Sequence, residues 1–393
     1  MAELVYLLGA GVNQGISWRG TKPPLATNFF QVASRSEKFT NEMYMTRIAP
    51  VYDYISQHWG MSRDDLQNKP FNIEDLFTFL QLEMDDANRL KDRERHSHAA
   101  SVNYLLVSFL AEYLSEFELA PVMSEVMRRF GETIYHEQPT ILTFNYDCIV
   151  EELLKSASGV NVNPPQSFLT GIDTPEEIPY DELPYSHHNW NIPLAYGIRF
   201  DQVQLQRAGL STYTEGKRFY GHPKNQIYPW KILKLHGSLN WFRYVPVRKY
   251  LAFSPSEEKL PEEKLEEVLL LNGHWWFAEP PDFHGWYIEP LIITPVLYKA
   301  QFFEHPLFSN IWSQARTELS GCKRLVIIGY SFAPSDFHTK KLLLDAFHKE
   351  PPEDLVIINP DARIVNTIKE LTRFKKPVLL CKDMEEYLIS HNK

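Results

Sequence analysis

Residues Leu4–Ser17 read LVYLLGAGVNQGIS. Leu4 to Leu8 form an unbroken apolar run that ends in Gly9-Ala10-Gly11. Such a run, with no polar alternation, describes a strand buried on both faces, as in a parallel sheet covered by helices. Glycines directly after it let the backbone come close to a phosphate. The spacing predicts a helix beyond them, whose N-terminus would favour that charge. Gln14 stands where the third glycine of a G-x-G-x-x-G turn would be. No strand follows in time to supply an acidic ribose reader, so an ordinary dehydrogenase site is not expected.

Working outward, further apolar runs occur at Thr140–Phe144, Ile232–Leu235, Leu325–Ile328 and Leu355–Ile358, with PVLL after Lys376 as a sixth. Small or polar residues follow five of them at once: Gly9, Asn145, His236, Gly329 and Asn359. In open parallel sheets, ligands bind beyond the carboxyl ends of the strands. The recurrence of such residues at five strand ends therefore predicts one shared site.

The chain has 393 residues, is 44% hydrophobic and carries a net charge of −10. That length suits one elaborate α/β domain or two to three smaller ones. The negative balance argues against direct nucleic-acid binding. Three cysteines, Cys148, Cys322 and Cys381, show no C-x-x-C spacing, so a zinc ribbon is not expected. No metal cofactor is expected. The sparse count fits a reducing cytoplasm. No signal peptide or membrane span is expected. Apolar spacing of three and four across residues 41–136 predicts a helical module inserted between the first two strands. Residues 156–229, rich in Pro, Tyr, Trp and His, read as loop-dominated, and His274–Trp286 as an aromatic loop. Ser254–Val268 reads as a solvated loop and helix.

Individual residues admit two readings each. Asp147, where a buried strand meets a helix, can serve as a helix cap. Asn145 can do the same, or donate to and accept from a sugar hydroxyl or water. His236, in ILKLHGSLNW, is either a buried core histidine or a base. Gly329 and Ser331 form a turn suited to phosphate or ribose, and Asn359 suits a ribose or adenine.

The ordered series GAGVN, FNYD, LHGS, GYS and INPD resembles the sirtuin family. More closely, it resembles the sirtuin-like NAD-hydrolysing domains of bacterial anti-phage defence systems. The likeness spans Gly9 to Asp361, and LIITPVLYKA (Leu291–Ala300) resembles a further segment of those domains. It implies a Rossmann-like α/β fold over residues 1–393, built on a parallel sheet, with residues 41–136 inserted and no zinc ribbon. It also implies that Gly9, Ala10, Gly11 and Asn13 hold the pyrophosphate and nearby ribose of NAD+. Asn145 would position the nicotinamide ribose and a water, with Asp147 nearby. His236 would act as general base, and Gly329, Ser331 and Asn359 would line the adenosine end.

The cysteine pairs of ordinary sirtuins are missing. Their G-I-P-D-F-R loop is replaced by GISWRGTKPPLA, with Arg19 as its obvious basic residue. Both departures turn the expectation from protein deacylation towards hydrolysis of NAD+ to nicotinamide and ADP-ribose. Deacylation and a non-enzymatic NAD or ADP-ribose sensor stay open as alternatives. The resemblance further implies a cytoplasmic defence effector, a homo-oligomer, and a HerA-type hexameric ATPase as partner.

Overall fold

A computed structural model of the chain describes residues 3–117, 124–157, 196, 199–200, 202–207, 210–214, 219–220, 231–250, 254–259, 266–272, 286–296, 305–332 and 336–391. Six strands form its central sheet: β1 (Leu4–Leu8), β2 (Thr140–Thr143), β3 (Ile232–Lys234), β4 (Arg324–Ile328), β5 (Asp354–Ile358) and β6 (Leu379–Cys381). Their order is β6-β5-β4-β1-β2-β3, and every pairing is parallel. This is the doubly wound Rossmann order, with the switch point between β1 and β4. All six apolar runs seen in the sequence are these strands, each within two residues of its expected bounds.

Burial explains why the runs lack alternation. Val5, Tyr6, Leu7 and Leu8 are all fully buried, as are Leu325, Val326 and Ile327. Each such aliphatic side chain contributes about 1.5–3 kcal/mol when removed from water. A strand that must bury both faces therefore gains from apolar residues at every position. Only the edge strand β6 departs, with Leu379 and Leu380 exposed.

The connection from β1 to β2 is helical. It holds α1 (Glu42–Trp59), α2 (Arg63–Asn68), α3 (Ile73–Leu90), α4 (Arg93–Ser115) and α5 (Glu125–Glu137), preceded by short helices at Phe29–Ala33 and Glu37–Thr40. The starts are set by side-chain caps: Asn41, Ser62, Asn72, Asp92 and Ser124 each accept a backbone amide of the first turn. Ser62 and Asp65 complete a reciprocal capping box. Phe29 and Phe39 each pack against Phe109 and Tyr113 of α4, with ring centroids 5.1–5.7 Å apart. These helices share one apolar core with the sheet. No helix among the described residues is long and apolar enough to cross a membrane.

Three sequence expectations are refined. The helix expected at the glycine turn is a 3-10 helix, Ala10–Gly15. Glycine at 11 and 15 and β-branched Val12 are weak helix formers, and bonds such as Val12 N–H to Gly9 O close tight turns. Ser254–Lys259 is a strand paired with the long strand Gly237–Tyr250, because a partner's ladder overrides weak local propensity. The described part of 156–229 includes strands Gln202–Arg207 and Leu210–Thr214, which pair antiparallel. They join a second sheet with Gly237–Tyr250, Leu269–Asn272 and Trp286–Ile292. Of the aromatic loop at 274–286, only Trp286 lies among the described residues.

At the switch point two backbones touch. A Cβ on Gly11 would stand 2.6 Å from Gly329 Cα, and one on Gly329 would stand 2.3 Å from the Gly11 carbonyl carbon. Gly329 also has φ +60, where a side chain is strained. Gly329→Ala is therefore expected to cost about 2–5 kcal/mol, from left-handed strain and displacement together. Gly60, with φ +64 but nothing within 4 Å of its Cβ position, is the control, at about 1–2 kcal/mol. Urea midpoints of the two variants test this. Equal midpoints would show that the Gly11–Gly329 contact relaxes at no cost.

Candidate functional site at the carboxyl edge of the sheet

The strand ends are laced together by main-chain hydrogen bonds. Gly9 N–H donates to Ile328 O at 2.9 Å and Gly11 N–H to Gly329 O at 2.8 Å. Gly329 N–H donates to Ile358 O, Phe144 N–H to Leu8 O, and Leu235 N–H to Thr143 O. The glycines of the first turn therefore have a reason to be glycine within the protein itself. Their presence alone does not demand a bound phosphate.

Polar side chains converge on this frame. Asn13 is buried, and its amide donates to Asp147 Oδ2 at 2.8 Å. Its carbonyl oxygen Oδ1 is buried with no hydrogen-bond partner among the described residues. A buried amide oxygen left unpaired costs about 1–3 kcal/mol. What remains open at Asn13 is thus an acceptor, suited to a hydroxyl or N–H rather than to a phosphate oxygen. Asn145 is also buried; its amide donates to Gly9 O at 3.3 Å, and its backbone N–H to Thr143 Oγ1 at 3.1 Å. Asp147 accepts the Ile149 N–H at 3.2 Å, a capping contact at the start of α6 (Ile149–Ala157). Capping and site contact thus occur in the same carboxylate.

His236 stands where β3 leaves the parallel sheet and the strand Gly237–Tyr250 of the second sheet begins. Gly237 makes this junction possible: its φ is +79, and a Cβ there would lie 2.1 Å from Leu291 O. Ile293 N–H donates to His236 O at 2.8 Å, and Trp312 Nε1–H, from α7 (Pro306–Ser320), donates to Leu235 O at 2.8 Å. The imidazole is buried, with ring centroids of Phe144 at 5.0 Å, Tyr146 at 6.2 Å and Trp312 at 6.4 Å. Phe144 also stacks on Tyr330 at 4.5 Å. An aromatic wall therefore joins the ends of β2, β3 and β4. The core reading and the functional reading of His236 are both compatible with this packing.

At the other end, Gly329 contacts the first turn, and Ser331 is exposed. Ala10 is exposed as well. Asn359 is half-buried; it donates to Tyr330 O at 3.2 Å and accepts the Asp361 N–H at 2.9 Å. The Asp361 contact closes a local turn, and the Tyr330 contact ties Asn359 to the turn after β4. The structure thus brings Asn13 to Asp147, Asn145 to Gly9, Gly11 to Gly329, and Asn359 to the Gly329–Ser331 turn. Among the described residues, no group of three His, Cys, Asp or Glu side chains is placed to hold a metal ion.

Sequence reading missed the aromatic wall of Phe144, Tyr330 and Trp312. It also missed Lys234, whose ammonium is fully buried and contacts Glu151 Oε1 at 3.0 Å. The signal was there: a lysine inside the apolar run ILKL needs a buried partner.

Comparison with known proteins adds little. No family model matches the chain, and no curated protein does. Among solved structures it is similar to one described as the crystal structure of a Sir2 homolog–NAD complex. The identity is 13% and the TM-score 0.30, over 98% of this chain and 91% of that chain. A likeness of that size carries no argument about activity. The Rossmann order rests on the strand pairing itself.

Burial raises the pKa of Asp147 above the ordinary aspartate value, and Glu151 adds to the rise against the opposing pull of Lys234. A raised folded-state pKa means the folded protein holds that proton more tightly than the unfolded chain. The resulting stability is full below the ordinary aspartate pKa and is lost as pH rises through the raised value. Asp147→Asn abolishes this ionisation and keeps the shape. Its stability relative to wild type is expected to improve as pH rises from about 4 to 7, measured by urea unfolding at each pH. Parallel profiles for the two proteins would contradict the assignment.

Proposed function

We propose that the carboxyl edge of the parallel sheet binds NAD+ and hydrolyses it to nicotinamide and ADP-ribose. One observation carries the reading: Asn13, Asn145 and Asp147 meet at the strand ends beside the switch point, where a Rossmann sheet binds its ligand, and His236 at the end of β3 packs on Phe144 and Tyr146 that flank Asn145. The ordered resemblance of the same segments to sirtuin-like NAD-hydrolysing domains supports it.

In this reaction the bond between ribose C1′ and the nicotinamide nitrogen breaks, and its electron pair stays with the ring nitrogen. A water oxygen bonds to C1′ from the opposite face. The products are nicotinamide, ADP-ribose and one proton. A neutral imidazole at His236 can take that proton from the attacking water. Asn145, uncharged, can orient the water or a ribose hydroxyl without competing for the proton. The unpaired carbonyl of Asn13 would accept from a hydroxyl or carboxamide N–H. Gly9, Ala10, Gly11, Gly329 and Ser331 would line the remainder of the dinucleotide. The aromatic wall keeps water scarce, which strengthens each of these contacts.

The family resemblance extends the proposal to a cytoplasmic anti-phage effector that depletes NAD+. It would be a homo-oligomer assembled partly through residues 41–136 and restrained until a HerA-type hexameric ATPase or a change of assembly releases it. Light scattering alongside NAD+ turnover, with and without such a partner, tests that extension. A fully active monomer indifferent to partners would overturn it.

The chemistry is tested by incubating the protein with NAD+, with and without an acetyl-lysine peptide, and measuring free nicotinamide. Release without peptide is expected. Release only with peptide would make the protein a deacylase, and binding of NAD+ without release under activating conditions would make it a sensor. His236→Ala is expected to lower turnover ~10²–10⁴-fold while thermal unfolding still shows a cooperative fold. Near-wild-type turnover would return His236 to a packing role. For Asn145→Ala, kcat should fall more than NAD+ affinity, because its contacts belong to the reacting ribose and water. Weaker binding with unchanged kcat would make Asn145 a binding residue only.

A further inference from the structure

Below the strand ends lies a buried charged cluster that the proposed chemistry does not use. Lys234 is the last residue of β3, two positions before His236. Its ammonium is completely buried, as is the carboxylate of Glu151 on α6, 3.0 Å away. A second contact runs from the same ammonium to the main-chain oxygen of Asp147, two positions after Asn145. Glu151 is held in turn by the Tyr196 hydroxyl at 2.8 Å, and Tyr196 accepts from the Asn240 amide at 3.1 Å. Asn240 belongs to the strand that leaves His236.

Such an arrangement is costly to bury. Burial by itself lowers the Lys234 pKa, yet Glu151, with Cys148 and Asp147, outweighs it and the pKa is raised. Hydrophobic side chains of the same volume often give equal or greater stability at such positions, so a buried pair is weak evidence for stability alone. What the pair does fix is relative position. One ammonium bonds the turn that carries Asn145 and Asp147, and it is itself part of the strand that carries His236.

We propose that Lys234 is a positioning residue: clamped by Glu151, it pins the Asp147 carbonyl and so sets the placement of Asn145 relative to His236. The inference rests on the hydrolase reading above. The backbone of the Asn145–Asp147 turn is also held by Leu239 N–H to Tyr146 O at 2.9 Å, Asn145 N–H to Thr143 Oγ1 at 3.1 Å and Phe144 N–H to Leu8 O at 3.1 Å, with the Ser238 hydroxyl on Tyr146 O at 3.4 Å. None of these bonds reaches the Asp147 carbonyl. Lys234 does so from below, leaving the side chains of Asn145 and Asp147 to the site.

The test is the double variant Lys234→Met with Glu151→Gln, which removes both buried charges together and leaves neither stranded. The substitution on α6 keeps a side-chain oxygen for the Tyr196 hydroxyl. The substitution on β3 keeps an unbranched apolar stem but loses the bond to Asp147 O. The variant is expected to unfold cooperatively, with kcat lowered ~10²-fold, the effect of a displacement near 1 Å. KM for NAD+ should stay within about threefold, since the lost bond lies outside the bound dinucleotide. Amide exchange across residues 144–149 should speed up while β4 and β5 keep their protection. A cooperatively folded double variant with unchanged kcat would overturn the proposal, and so would one whose loss appears only in KM. Failure of wild-type protein to release nicotinamide would defeat the hydrolase reading instead. In that event amide exchange still decides the positional role, and unchanged protection at 144–149 would defeat it.

Discussion

Gly11 and Gly329 lie so close that neither can carry a Cβ. This contact closes the carboxyl edge of the sheet at the point where its winding reverses. It draws the turn after β1 against the turn after β4, and the hydrogen bond from Gly11 N–H to Gly329 O holds it there. Everything above the sheet inherits its position. Gly9 O is presented to the Asn145 amide, and Asn13 is carried under the loop to meet Asp147. A bulkier residue in either glycine turn would push apart the strand ends and the side chains they carry.

Around that closure the protein mixes apolar walls with a few fully enclosed polar contacts. Phe144, Tyr330 and Trp312 surround the His236 ring or one another, and the Lys234–Glu151 pair lies beneath. In such surroundings an unpaired polar atom is expensive and a paired one is strong, because the local dielectric is far below that of water. The Asn13 carbonyl oxygen, buried beside this closure, has no partner among the described residues. In the proposed reading a donor of the ligand meets it. The same low dielectric makes Asp147 hold its proton more tightly, so one environment governs both the site's electrostatics and its pH response.

The fold was largely legible because buried parallel strands write themselves as continuous apolar runs. LVYLL, LVII and LVII needed no further context, and the residues after them marked the edge where the site lies. A helix at the glycine turn was legible, but its 3-10 form was not, since the glycine and valine spacing there suits either type. Ser254–Lys259 misled for a different reason: its Glu and Lys residues suit solvent, and only the neighbouring long strand makes it a strand. The aromatic wall could not be seen, because Phe144, Trp312 and Tyr330 come from distant parts of the chain and meet only once the sheet is wound. Lys234 was visible but unread: a charge inside ILKL states that a partner exists, and the sequence does not say which. Asn359, marked in the sequence only by its place after a strand, is tied by its amide to the Tyr330 carbonyl of the neighbouring turn.

In the proposed reading the dinucleotide lies across the glycine closure with its nicotinamide ribose between Asn145 and His236. A crystal structure of the His236→Ala protein saturated with NAD+ tests it most directly, because slow turnover would preserve the substrate. The account predicts intact NAD+ along the carboxyl ends of β1, β2, β3 and β4, with a donor of the ligand on Asn13 Oδ1. An empty carboxyl edge at saturating NAD+, or density for the dinucleotide elsewhere on the protein, would contradict it.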